Sequence, residues 1–102
     1  MMPATEHVYS LDGTHLQATM SATYNVLTSV LGIPGKPVDE YKVRAEWMVW
    51  TPHGLGTVYD YKEHDTPLEE VTAWSIGGHN RATAAYIEGL FTGMSAEVEL
   101  YG

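Results

Sequence analysis

Apolar and polar positions alternate most plainly over residues 42–51. Val43, Ala45, Trp47 and Val49 fall on one side, and Lys42, Arg44, Glu46, Met48 and Trp50 on the other. A period of two predicts a half-buried strand with the first set in the core. Residues 52–56, with Pro52, Gly54 and Gly56, read as a connection in which glycine is free to take positive φ. Residues 57–62 read as the return strand, with Thr57, Tyr59 and Tyr61 opposing Val58, Asp60 and Lys62. After a polar loop, residues 71–77 form the next strand, and the short first connection predicts antiparallel pairing. Upstream, residues 14–20 alternate as Leu16, Ala18 and Met20 against His15, Gln17 and Thr19, with Asp12-Gly13 as a hairpin turn after residues 8–11.

Two segments carry helical spacing instead. Residues 21–31 place Tyr24, Leu27, Val30 and Leu31 on one stripe, with Ser21 as N-cap and Gly32 and Pro34 as the stop. Residues 32–41 follow as a rigid Pro- and Gly-rich loop. Residues 80–91 place Tyr86, Ile87, Leu90 and Phe91 on a core stripe, with Asn80 as N-cap and Gly93 at the end. Residues 1–6 read as a frayed start. In the tail, Ala96, Val98 and Leu100 alternate against Glu97, Glu99 and Tyr101, the pattern of an edge strand added to this chain or to a partner.

The element order is therefore β-α-β-β-β-α within a single domain, residues 1–102. The simplest packing is a two-layer α+β fold, an antiparallel sheet of about four strands with two helices on one face. Trp47 and Trp50 alternate onto opposite faces, so a two-layer fold cannot bury both. Trp47 and Trp74 are assigned to the core, and Trp50 with Met48 to an exposed or dimer-buried patch.

Composition narrows the function classes. At 102 residues the core is modest, which favours a homo-oligomer. Hydrophobic residues make up 44%, too many for a disordered chain. There is no Cys, so no disulfide, thiolate nucleophile or cysteine metal site. The formal charge of −8 argues against direct nucleic-acid binding, which needs Lys and Arg on phosphate, and favours a partner with a basic surface. The same charge also serves simple solubility. No apolar run approaches the ~18 residues of a membrane span, and the start of the chain has no basic-then-apolar leader pattern. A cytoplasmic protein is expected.

Candidate chemistry is sparse. Gly77, Gly78, His79, Asn80 and Arg81 run from a strand into a helix, where free N–H groups and the helix dipole favour an anion. Arg81 offers a bidentate contact, Lys62 an approach from the neighbouring strand, and Tyr59 or Trp74 a surface on which a base stacks. This constellation suits a phosphate or nucleotide. The structural alternative is a tight strand-to-helix turn in which glycine gives the backbone room. The spacing matches neither a phosphate loop nor a dinucleotide fingerprint.

The five histidines, His7, His15, His53, His64 and His79, show no i, i+4 pair, so neither a metal nor another cofactor is expected. Asp60, Glu46 and His79 are candidates for acid–base work only if adjacent strands bring them together, and Ser75 has no nucleophile elbow. Glu46 beside Lys62 or Arg44 reads equally well as a cross-strand ion pair. No catalytic residue is assigned, and the chain is read as a non-enzyme.

The segments Asp12-Gly13-Thr14-His15-Leu16, Glu46-Trp47, Thr57-Val58-Tyr59-Asp60-Tyr61-Lys62 and Trp74-Ser75-Ile76-Gly77-Gly78 occur in an order that resembles a family of small tailed-phage and prophage proteins. The resemblance spans most of residues 12–91. Ser75 stands where that family more often has His, so no role for that His is carried over. The resemblance implies a phage accessory protein in the bacterial host cytoplasm. By analogy with small acidic phage proteins, it acts as an anti-defence inhibitor that docks on a host protein. Met48 and Trp50, with the acidic loop residues Glu63, Asp65, Glu69 and Glu70, are the expected interface. A sponge for a nucleotide signal at residues 77–81, and a small enzyme on the same pocket, are the alternatives.

Overall fold

The computed structural model describes residues 13–35, 45–60 and 65–101. The elements run β1 (His15–Ala22), α1 (Tyr24–Leu31), β2 (Glu46–Thr51), β3 (Gly54–Tyr59), a 3₁₀ turn (Leu68–Glu70), β4 (Ala73–Gly78), α2 (Arg81–Leu90) and β5 (Ala96–Leu100). All five strands belong to one antiparallel sheet, in the order β2-β3-β4-β1-β5. The α+β class is as the periodicity predicts. The sheet has one strand more than expected, because the alternating tail pairs with β1 of its own chain.

Both helices cover one face. Ala18, Met20, Ala22, Trp47, Val49, Val58, Trp74 and Ile76 from the strands meet Leu27 of α1 and Ala84 and Ile87 of α2 in one buried cluster. Three aromatic rings knit α1 to this layer. Trp47 and Trp74 meet edge to face at 5.4 Å, and Tyr24 lies 5.9 Å from the first and 6.3 Å from the second. Each buried indole N–H finds a carbonyl: Trp47 Nε1 donates to Gly32 O at 2.8 Å, and Trp74 Nε1 to Ala22 O at 2.9 Å. Gly32 terminates α1, so the first of these bonds also ties a helix end to the sheet.

Several boundaries differ from the sequence reading, each for a local reason. Ser21 does not cap α1. The ladder with β4 continues through Ser21, and the cap falls to Thr23, whose Oγ1 accepts the Val26 N–H at 3.2 Å. The β2–β3 connection is not residues 52–56 but the two residues Pro52 and His53. Thr51 Oγ1 donates to Gly54 O at 2.6 Å and accepts His53 N–H at 3.1 Å, which closes the turn three residues early, with Gly54 at φ 132°. In β1 the register slips between Leu16 and Ala18, which pair with Gly77 and Ile76. This bulge turns Leu16 away from the helices, and it is exposed rather than in line with Ala18 and Met20. On α2 the buried residues are Thr83, Ala84 and Ile87, followed by Phe91, while Tyr86 and Leu90 are exposed. Asp12, residues 1–11, 36–44 and 61–64 lie outside the described residues, and with them the predicted first hairpin and the outer parts of the strands at 42–51 and 57–62.

Candidate functional site

The last turn of β4 and the start of α2 hold the five residues singled out as an anion site. The strand alternation divides them between the two faces of the sheet. Gly77 lies on the helix-free face, where an added Cβ would sit 2.9 Å from Thr57 Oγ1 and 3.5 Å from the Tyr59 ring. Gly78 lies on the helix side, where a Cβ would stand 3.1 Å from Thr83 Cγ2. Both glycines thus make room for close neighbours, one on each side of the sheet.

Asn80 is committed to local bonds. Its Oδ1 accepts the Thr83 N–H at 2.9 Å and the Thr83 hydroxyl at 3.0 Å, and its Nδ2 donates to His53 O at 3.1 Å. The Gly78 carbonyl accepts Gln17 Nε2 at 3.0 Å. Arg81 is exposed at the start of α2, whereas Tyr59 is at the other end of β3 and on the helix-free face. The described residues therefore do not bring Tyr59 and Arg81 to one pocket, and Lys62 lies outside them.

The catalytic candidates are also held apart. Glu46 pairs with Tyr59 across β2 and β3, next to Asp60, while β4 reaches His79 four residues after Ser75, the partner of Tyr59. At ~3.3 Å per residue this is about 13 Å along the sheet. Asp60 is fully buried and its Oδ1 accepts the Ala45 N–H at 2.9 Å, holding the start of β2. His15, His53 and His79 lie toward one end of the sheet, yet no group of three or more His, Asp or Glu among the described residues is placed to hold a metal. The His53 ring instead meets Tyr86 edge-on at 6.5 Å. His7 and His64 lie outside the described residues.

The helix-free face carries the more distinctive surface. Register places Glu46, Met48 and Trp50 of β2, Leu55, Thr57 and Tyr59 of β3, Ser75 and Gly77 of β4, Thr19 and Ser21 of β1, and Glu97 and Glu99 of β5 on it. Next to the β2–β3 turn, Leu55 is 3% exposed although it is not part of the helix-side cluster. At the β2 edge Trp50 is 65% and Met48 48% exposed. At the β5 edge stand the exposed carboxylates of Glu97 and Glu99. Asp65, Glu69 and Glu70 are exposed before β4, and Glu63 is outside the described residues. Arg81 is the only Lys or Arg among the described residues. Sequence reasoning missed Leu55, because the glycines on either side of it suggested a loop.

No family model, curated protein or solved structure matches this chain. Among the described residues no helix is long and apolar enough to cross a membrane.

Proposed function

We propose that the protein is a binding module without catalytic activity, which acts by occupying the basic surface of another protein. The observation that carries this reading is the pair Trp50 and Met48, exposed side by side on a strand of an otherwise well-packed sheet. Leaving a Trp in water forgoes apolar burial at roughly 25 cal/mol per Å², and Trp is the residue type most often found at the energetic centre of protein interfaces. Asp65, Glu69, Glu70, Glu97 and Glu99 are exposed elsewhere on the surface, and this acidic charge sets the sign of the partner and speeds its approach. The resemblance to phage and prophage proteins supplies the setting: a host protein, including a component of host defence, in the bacterial cytoplasm. Self-association through Met48 and Trp50 is consistent with the same patch.

Native mass spectrometry of the tagged protein recovered from its bacterial host tests this reading. A host protein in fixed ratio is expected, lost on Trp50→Ala and, separately, on the double change Glu69→Lys and Glu70→Lys. Recovery of the same complex with both variants would overturn it. A retained phosphorylated small molecule that disappears on Arg81→Ala would replace it with nucleotide sequestration.

A further inference from the structure

The sheet edge opposite Trp50 is formed by β5, and its outer side presents open backbone groups. Tyr101 N–H donates to Gln17 O at 2.8 Å, which sets the phase of the ladder. In an antiparallel pair alternate residues turn their N–H and C=O toward the partner. Glu97, Glu99 and Tyr101 therefore bond toward β1, and Val98 and Leu100 point theirs away from the sheet. Among the described residues nothing bonds to those outward groups.

A groove runs beside this edge on the helix side. It has a volume of about 330 Å³ and lies between the second half of α2 and β5. Ala85, Met94 and Val98 give it apolar contacts, while Glu88, Thr92 and the backbone at Gly89 and Gly93 make most of its exposed lining polar. Gly89 keeps it wide, since a Cβ added there would meet nothing within 4 Å. On the other side of the same edge stand Glu97 and Glu99, next to Thr19 and Ser21.

A strand laid along β5 at the usual spacing of about 4.8 Å sends successive side chains to alternate faces. One set enters the groove, and the other meets Glu97 and Glu99. We propose that the β5 edge and this groove dock an extended segment of a partner protein in which apolar and basic residues alternate. Main-chain bonds to Val98 and Leu100 supply affinity in such strand addition, and the two side-chain environments supply selectivity. A second copy of this chain is a poor occupant. Pairing β5 with itself would set Glu97 and Glu99 against their own equivalents, and facing like charges oppose edge-to-edge association. The site is remote from Met48 and Trp50 and goes beyond the surface assigned above.

A synthetic peptide alternating Lys and Val tests the proposal, with a Glu–Val peptide as control. Titration calorimetry and amide NMR on the full chain are the readouts. The Lys–Val peptide is expected to bind, to shift the amides of Val98, Leu100 and Gly89, and to slow hydrogen exchange at Val98 and Leu100. Gly89→Leu, which fills the groove from a position with open space, should weaken binding about tenfold or more with no fall in melting temperature. Glu97→Gln with Glu99→Gln should weaken it to a similar extent and flatten its salt dependence. Trp50→Ala should leave it unchanged. Absence of binding, equal affinity for the Glu–Val peptide, or equal affinity of the Gly89→Leu protein would overturn the proposal. So would loss on Trp50→Ala, which would move the peptide to the other edge. Because host-protein capture is read through Trp50 and peptide binding through Gly89, the failure of one reading leaves the other measurable.

Discussion

Asp60 shows how one buried polar side chain sets the geometry of a strand. It is fully buried, and its carboxylate accepts the Ala45 N–H at the start of β2. Asp60→Ala would leave that buried donor unsatisfied, a loss of about 1–3 kcal/mol. Asp60→Asn keeps an acceptor and should lose less; urea unfolding of both variants checks the order. The tryptophans separate at the same scale. Trp74 is buried, edge-packed on Trp47 and bonded to Ala22, so Trp74→Ala should lose about 3–5 kcal/mol. Trp50 is mostly exposed, and Trp50→Ala should stay within about 0.5 kcal/mol of the parent. A large stability loss at Trp50 would mean that it packs as a core residue and would remove the main argument for a docking surface.

At the level of elements, glycine decides how closely α2 approaches the sheet. A Cβ on Gly56 would lie 2.7 Å from Ile87 Cδ1 and 2.8 Å from Thr83 Cγ2, so α2 rests directly on the β3 backbone. Gly56→Ala should destabilise by about 1–3 kcal/mol, through displacement of the helix. Gly89 is the opposite case, within the same helix and facing open space. Gly89→Ala should stabilise by about 0.4–1 kcal/mol, because alanine restricts the unfolded chain and favours helix. Thermal melts of the two variants should therefore move in opposite directions. The bulge in β1 acts at this scale too. By inserting one residue before Ala18 it aligns Ala18, Met20 and Ala22 with the core and leaves Leu16 outside it.

For the whole molecule the governing quantity is charge. The formal net charge is −8, from 13 acidic and 5 basic residues, a balance that favours cationic over anionic partners. Association with a basic partner should slow steeply as salt shortens the screening length from ~10 Å at 0.1 M. Stopped-flow association rates at two ionic strengths check this, and a rate indifferent to salt would count against charge-led docking. Arg81→Ala should leave stability within about 0.5 kcal/mol, since the exposed side chain makes no ion pair among the described residues.

The amphipathic periods determined the α+β class, both helices, the antiparallel central strands and the sorting of Trp47 and Trp74 from Trp50. Those features follow from local sequence, because burying an alternating strand or a helical stripe admits few arrangements. The Asn80 cap was legible for the same reason, its partner Thr83 lying three residues away. Only the tertiary structure decided which contacts form across long separations. It placed Gly77 and Gly78 on opposite faces, parted Tyr59 from Arg81, turned Leu16 outward and buried Leu55. It also set the tail against β1 and opened the groove beside Gly89. Each of these depends on strand register and helix approach, which distant residues fix together and which no short window of sequence encodes.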